Sequence, residues 1–410
     1  MVSAALALEA RRRLAVDFSF ADFLPMNYNF SFVPIRLEAS KPRPNWVQRV
    51  EESGLVWHGA GADSYWNENE HLVFSLDAAE TLEAAANELH GMCLDACEQI
   101  ICRDWWHKLA ISDDLASIIQ SSWTAQDFSL YGRFDLAWDG IGTPKLLEYN
   151  ADTPTSLLEA AVIQWDWLKD CYPSSDQLNS LHEALVERWK TLPDPLIHLA
   201  CAWDLPEDRQ TIAYLAETAE QAGKAVNLMD MAEIGYSEEG RFTDSIERPI
   251  DRLFKLYPWE WLVKEPFFAE IGAERSRFIE PAWKMMLSNK ALLPILWELN
   301  PNHPLLLPAT RTREEMSRLG ISQWVEKPIY GREGGGISLC EFGKAIAQGT
   351  GQAESSEMIY QKRTPLFQAG GRHFVWGLWM VDDTCCALSA RGDQSPITGN
   401  MSRFHPHRIG

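Results

Sequence analysis

Two short polar segments, Arg133-Phe134-Asp135 and Glu148-Tyr149-Asn150, flank the turn-rich stretch Asp139-Gly140-Ile141-Gly142-Thr143-Pro144. That order predicts strand, turn, strand. Successive strand side chains face opposite sides, so Arg133 shares a face with Asp135, and Glu148 with Asn150. A hairpin folded back on itself then brings one cation and three oxygen ligands to one spot. Mg2+ takes carboxylate and amide oxygens together with phosphate and water, so the cluster suits Mg2+ held against polyphosphate. A polar cluster flanked by Phe134, Trp138, Leu146 and Leu147 is costly unless it is paired or used.

A second segment points the same way. Val325-Glu326-Lys327-Pro328-Ile329-Tyr330-Gly331-Arg332-Glu333-Gly334-Gly335-Gly336-Ile337 reads as a strand running into a glycine-rich loop. Glycines let backbone N–H groups approach phosphate oxygens with no Cβ in the way. Neither G-x-x-x-x-G-K-[ST] nor G-x-G-x-x-G is present, which excludes a P-loop and a dinucleotide fingerprint. Taken alone, the glycines suit a mobile hairpin tip equally well.

A chain of 410 residues is too long for one compact unit and predicts two or three packed subdomains. Its 18 tryptophans supply a sizeable core. A net charge of −21 argues against a general nucleic-acid binder and against docking on an anionic membrane, and is read as solubility. The cysteines form no CxxC pair, and adjacent Cys385 and Cys386 sit on an apolar run, so reduced packing thiols in a cytoplasmic setting are expected. No apolar run reaches the ~18 residues of a membrane span, and the N-terminal arginines follow the apolar stretch, the reverse of a secretory signal.

Helical spacing of Leu82, Ala85, Leu89, Cys93, Ala96 and Ile100 predicts a helix over 78–101, with Asp77 as its N-cap. An amphipathic helix is predicted over 157–168. The run 196–203, a helix over 207–221 and a strand over 224–229 make a βαβ unit and imply a parallel sheet. Further strands are expected at 252–256, 323–329, 357–361, 374–381 and 384–390, and helices at 281–287 and 290–299. The class is mixed α/β. Residues 1–42 read as a peripheral extension ending in a Pro-rich linker, Lys41 to Pro44.

The run Leu146-Leu147-Glu148-Tyr149-Asn150-Ala151-Asp152-Thr153-Pro154-Thr155-Ser156, the Arg133-Phe134-Asp135 segment before it and the Lys327 loop after it together resemble the glutathionylspermidine synthase family. The resemblance covers about 43–410 and is nearest to stand-alone synthetases that lack the amidase domain. It implies a permuted ATP-grasp fold (α/β, α+β) like that of glutathionylspermidine synthetase and eukaryotic glutathione synthetase, since the metal hairpin precedes both lysines. It further implies an inserted subdomain over 196–256 and a lid over 285–391. It also implies ATP- and Mg2+-dependent joining of a small-molecule acid to an amine through an acyl phosphate.

On this resemblance Arg133 is the transition-state cation, and Asp135, Glu148 and Asn150 hold Mg2+. ATP meets Arg133, Phe134, Asp135, Lys290, Lys327, Gly331, Arg332, Gly334, Gly335, the hinge run Met358, Ile359, Tyr360 and Gln361, and Arg391. On local grounds Lys290 reads equally as a solvated helix-start lysine, and Arg391 as a turn arginine. Thr153 and Thr155 stand where the family's hydroxyls touch the acid; capping of the helix that follows suits them too. Glu207 and Asp208 stand where paired acids draw in a polyamine, or act as helix-start acids. Glu-Asp in place of two glutamates leaves the polyamine open. With no amidase half before Arg43, the chain is expected to make a bond and not to break one. An ATP-binding regulatory protein of the same fold is the alternative, against which the retained polar residues argue. A metal-dependent hydrolase lacks support, because no HExxH is present.

Overall fold

The computed structural model describes residues 33–59, 64–271, 276–351 and 353–410. Residues 1–32 of the expected extension lie outside them. The expected boundary near Arg43 falls inside packed chain. Strand β1 (Ile35–Ala39) pairs antiparallel with β2 (Glu70–Phe74), and β2 pairs parallel with the C-terminal strand His407–Ile409. Arg43 is likewise no linker residue. Its guanidinium pairs with Glu68 at 2.8 Å and with Asp170 at 2.9 Å, and the Arg43 and Glu68 side chains are only 5% and 1% exposed.

A mainly antiparallel sheet forms the centre. β3 (Tyr131–Ala137) lies between β4 (Lys145–Asn150) and the strand Arg372–Val381, which pairs in turn with Thr384–Asp393. The run from Phe374 to Val381 is apolar on both faces and buried throughout, as a central strand requires. On one face Phe134, Trp376 and Leu378 share a core with the helix Leu76–Cys102. That helix buries all six residues of the predicted stripe, but its N-cap is Ser75, whose Oγ accepts from the Ala78 amide; Asp77 stands in the first turn instead. On the other face Tyr131, Trp379 and Ala387 pack with the 157–171 segment, whose first part, Glu159–Ile163, is a π-helix.

Two further sheets frame this centre. Leu196–Cys201, Ala225–Asp230 and Arg252–Leu256 form the expected parallel arrangement, with Arg277–Ile279 as a fourth strand. Ala309–Thr310, Met358–Lys362, Gln323–Pro328, Ser338–Glu341 and Lys344–Gln348 form an antiparallel sheet. The expected lid region 285–391 therefore divides: this sheet is one part, while Arg372–Val381 and most of Thr384–Asp393 belong to the central sheet. All eight cysteines are free, with Cys385 and Cys386 buried. Among the described residues no helix is long and apolar enough to cross a membrane.

The Arg43–Glu68 pair ties the entry of the chain to the β2 region. Removing one partner of a buried pair leaves the other charge uncompensated, at a cost of ~3–5 kcal/mol. Arg43→Ala is expected to lose about that much stability in a denaturant titration, and an unchanged midpoint would show that the pair is dispensable.

Candidate active site

The register of the hairpin builds the site. β3 and β4 pair so that Arg133 stands opposite Asn150 and Asp135 opposite Glu148. Arg133 Nε and Nη2 donate to the two Asp135 oxygens at 2.7 and 3.1 Å, and Nη1 donates to the Thr155 carbonyl at 2.6 Å. Room for this buried side chain comes from Gly377 on the neighbouring strand. A Cβ there would stand 2.4 Å from Ser389 Oγ and 2.9 Å from Arg133 Cδ. Asn150 Nδ2 lies 3.0 Å from Glu148 Oε1 and 3.4 Å from Asp135 Oδ2, so the amide and both carboxylates meet.

Two lysines close over these acids. The Lys290 amide donates to the Ile329 carbonyl, which sets the residue beside the glycine loop; its Nζ donates to the Gly331 carbonyl at 2.9 Å and pairs with Glu148 at 3.2 Å. Lys327 Nζ donates to the Leu147 carbonyl at 2.7 Å and to Gln361 Oε1 at 2.8 Å. Burial would raise the Glu148 carboxyl, but the Lys290 and Lys327 charges outweigh it and hold it down at about 2. Burial lowers Lys327 to about 8, helped by Lys290 and resisted by Glu148.

These groups line one cavity of about 550 Å³, a size usual for small-molecule sites. Gly331, Arg332, Gly334, Gln361, Arg391, Thr153 and Thr155 also line it. Arg332 Nη2 donates to Thr153 Oγ1 at 3.1 Å, and Arg391 Nη2 is held by the Gly399 carbonyl while its Nε is buried and unpartnered. Among the described residues neither threonine hydroxyl caps the following helix. The glycine loop is not a free tip: a Cβ on Gly334 would lie 2.5 Å from the Thr398 carbonyl oxygen, and one on Gly351 2.9 Å from Gly335 Cα.

Several expected residues lie elsewhere. Phe134 points to the opposite face and stacks on Tyr149 at 3.8 Å, because strand neighbours alternate. The Gly335 amide is tied to the Arg332 carbonyl within the loop, and Gly335 does not line the cavity. Met358, Ile359 and Tyr360 also stay outside it, since their strand is flanked by Gln323–Pro328 on one side and by Ala309–Thr310 on the other. The lining runs instead along Gln361 and the 362–366 segment, facing Val325, Ile337 and Leu339. Glu207 and Asp208 occupy the first turn of the helix Pro206–Gln221 and do not line the cavity. Burial pushes Glu207 up to about 8, with Glu159 and Asp208 adding to it, and Asp208 up to about 6. Sequence reasoning missed Asp152, Glu260 and the 362–366 segment. Only Asp152, inside the quoted run, and the Thr364-Pro365 turn signal were there to find.

Among the described residues no group of three His, Cys, Asp or Glu gathers as a metal site. Two carboxylates and an amide suit a hard cation that takes its remaining ligands from phosphate and water, as Mg2+ does. The Asn150 amide can turn its oxygen toward such a cation, since its orientation follows the hydrogen-bond network.

Residues 37–410 match the family described as glutathionylspermidine synthase preATP-grasp. A Haemophilus influenzae protein provisionally described as an acid–amine ligase is 39% identical over 389 residues, covering 91% of this chain and 98% of the relative. The trypanothione synthetase of Crithidia fasciculata is 29% identical over 80% of this chain. The bifunctional glutathionylspermidine synthetase/amidase of Escherichia coli is 27% identical over 82%. The chain spans only 54% and 58% of those two proteins. A glutathione synthetase-like effector of Globodera pallida shares the fold, with a TM-score of 0.54 at 7% identity over 90% of this chain and 100% of the effector.

The tight seat of Arg133 has a direct consequence. Gly377→Ala forces Arg133 or Ser389 to move, and overpacking of this kind costs ~1–3 kcal/mol. Gly91, inside the helix Leu76–Cys102, has nothing within 4 Å of a built Cβ. There alanine is expected to stabilise by up to ~1 kcal/mol. Denaturant midpoints of the two variants should therefore move in opposite directions; movement of both the same way would contradict the packing described.

Proposed function

The chain belongs to the glutathionylspermidine synthase family, and we propose that it joins a carboxylic acid to an amine at the expense of ATP. The observation that carries this reading is the meeting of Arg133, Lys290 and Lys327 with Asp135, Glu148 and Asn150 in one cavity. Phosphoryl transfer to a carboxylate asks little covalent work of side chains. It asks for charge neutralisation and in-line placement. Lys290 and Lys327 are the ground-state phosphate contacts in this reading, and Arg391 offers a further buried N–H. Asp135, Glu148 and Asn150 would hold Mg2+, which would supply charge neutralisation for phosphate.

The purine would enter between Val325, Ile337 and Leu339 and the 362–366 segment, where a run of backbone past the strand end can read its edge. Thr153 lies beside Arg332, and the pair is a fitting seat for the acid's carboxylate. Arg133 is bound to Asp135, and its guanidinium would exchange partners to meet a phosphate. That exchange suits a group that works on the transferring phosphoryl rather than on resting ATP. The acid is read as peptide-like, and glutathione and spermidine are the first probes because relatives' names carry them.

Three measurements test the reading. Mg2+ and ATP together are expected to raise Tm, since a ligand bound only by the folded state stabilises it. Lys327→Ala is expected to remove most of the rise. Lys327 is charged below its pKa of about 8 and loses its charge as pH climbs through that value, so the wild-type rise should shrink between pH 7 and 9. A rise as large in the variant as in wild type would place the phosphates elsewhere. ADP release and product mass from a panel of acids and amines then identify the substrates. ATP binding with no turnover on any pair would favour a regulatory protein of this fold.

Arg133→Ala separates catalysis from binding. Loss of one transition-state donor costs ~10²–10³ in rate, so kcat is expected to fall by about that factor while ATP affinity changes little. Equal losses in both would make Arg133 a ground-state clamp.

A further inference from the structure

A ligase of this kind must do something that the phosphate machinery does not. The amine arrives as an ammonium ion with no lone pair, and attack cannot begin until a proton has left. The cavity holds a carboxylate placed for that task. Glu260 lies on a short helical turn, Trp259–Leu262, that the buried Asp152 pins in place. The Trp259 amide donates to Asp152 Oδ2 at 2.9 Å, and Lys255 Nζ to Asp152 Oδ1 at 2.7 Å. Asp152 directly precedes Thr153, whose hydroxyl accepts from Arg332. The Arg332 guanidinium lies 5.1 Å from the Trp261 ring. Glu260 is thus fixed to the wall that carries Thr153 and Arg332, and it lines the same cavity as Arg133.

The other cavity carboxylates are accounted for. Asp135 and Glu148 face cations, Asp152 holds Lys255, and Glu341 pairs with Arg363 at 2.8 Å. Glu333 stands exposed on the glycine loop. Glu260 is half-buried, and among the described residues no side-chain hydrogen bond or ion pair to another residue engages its carboxylate, which its own backbone N–H alone meets.

We propose that Glu260 receives the amine substrate, pairing with the incoming ammonium and taking one proton from it. The inference rests on the ligase reading above. With the proton on Glu260, the nitrogen lone pair attacks the carbonyl carbon of the acyl phosphate. The C–N bond forms, the C–O bond to phosphate breaks, and phosphate leaves with that electron pair and the second nitrogen proton. Burial, with the Asp152 charge adding to it, raises Glu260 to about 7; its own backbone N–H and Arg332 oppose the rise, Glu354 adds to it, and Lys255 also feels the Glu260 charge. Tyr330 faces it from the glycine-loop side and is itself pushed up by burial and by the Glu260 charge. A carboxylate titrating near neutrality is well matched to receiving and releasing a proton at pH 7.

The test uses the full chain with the acid on which wild type releases ADP. Two nucleophiles are compared, spermidine (or the panel amine that wild type accepts) and hydroxylamine, which is already neutral at pH 7. General-base catalysis contributes ~10²–10⁴-fold, so Glu260→Gln is expected to lower amide formation with the protonated amine by at least ~10²-fold at pH 7. Hydroxamate formation is expected to fall far less, and the amide deficit to shrink as pH rises toward the amine's own pKa. Glu260→Asp is expected to restore part of the rate. Equal losses with both nucleophiles, or no loss with either, would overturn the proposal while leaving the ligase reading in place. Failure of wild type to release ADP with any acid would remove the ligase reading and this inference together.

Discussion

The cross-strand register of β3 and β4 is the constraint on which the rest of the site depends. It sets Asp135 directly opposite Glu148 on a largely buried face. Like charges opposite one another in an antiparallel pair are destabilising, and the loss of water makes them more so. The sheet can keep this register only if cations come from elsewhere. Arg133 comes from the same strand, Lys290 from the segment before the helix Leu292–Leu299, and Lys327 from a different sheet. Charge neutralisation thereby joins elements far apart in the chain. Lys327 reaches Glu148's neighbour Leu147, and the Lys290 amide is fixed by Ile329 at the mouth of the glycine loop. The three cations are thereby gathered at one cavity, each paired or hydrogen-bonded within the fold.

A second buried pair extends the same logic to the parallel sheet. Lys255 ends a strand of that sheet and is fully buried, and its ammonium is paired with Asp152, two residues beyond Asn150. Burial lowers the Lys255 ammonium below its ordinary value, and Asp152 counters this by Coulomb attraction and a hydrogen bond. Asp152 spends its other oxygen on the Trp259 amide. One carboxylate thus fixes the end of the β3–β4 hairpin, the strand Arg252–Leu256 and the turn that bears Glu260. The sheet carrying Lys327 is built differently. Its separate apolar cluster is small, centred on Met316, Trp324 and Cys340, while Ala309 and Ile359 pack into the main core and Lys327 adds a polar contact to β4.

Legibility in the sequence followed the range of the interaction. The hairpin could be read because period-two alternation and a turn are local signals, and the same holds for the βαβ unit and for the stripe of the helix Leu76–Cys102. Lys290 and Lys327 could be singled out only through resemblance, since nothing local separates a cavity lysine from a solvated one. The expected residues that do not line the cavity are those where closeness in a motif stood in for side-chain direction. Phe134 sits between two site residues and faces away; Gly335 sits in the loop with its amide turned inward. Met358 to Tyr360 belong to a strand flanked on both sides, and the cavity lining begins only at Gln361. Glu260 had no signal at all, because its placement depends on Asp152, more than a hundred residues earlier in the chain.

The seating of Arg133 shows how the fold carries a buried guanidinium at this site. Its guanidinium is satisfied by Asp135 and the Thr155 carbonyl, and it lies 5.6 Å from the Trp379 ring. An unpaired buried arginine would cost several kcal/mol, so the fold supplies a resting partner. That partner is itself an expected metal ligand. Arrival of a divalent cation at Asp135 would compete for the carboxylate and leave the Arg133 charge to seek another anion in the cavity. In the proposed reaction that anion is the transferring phosphoryl group.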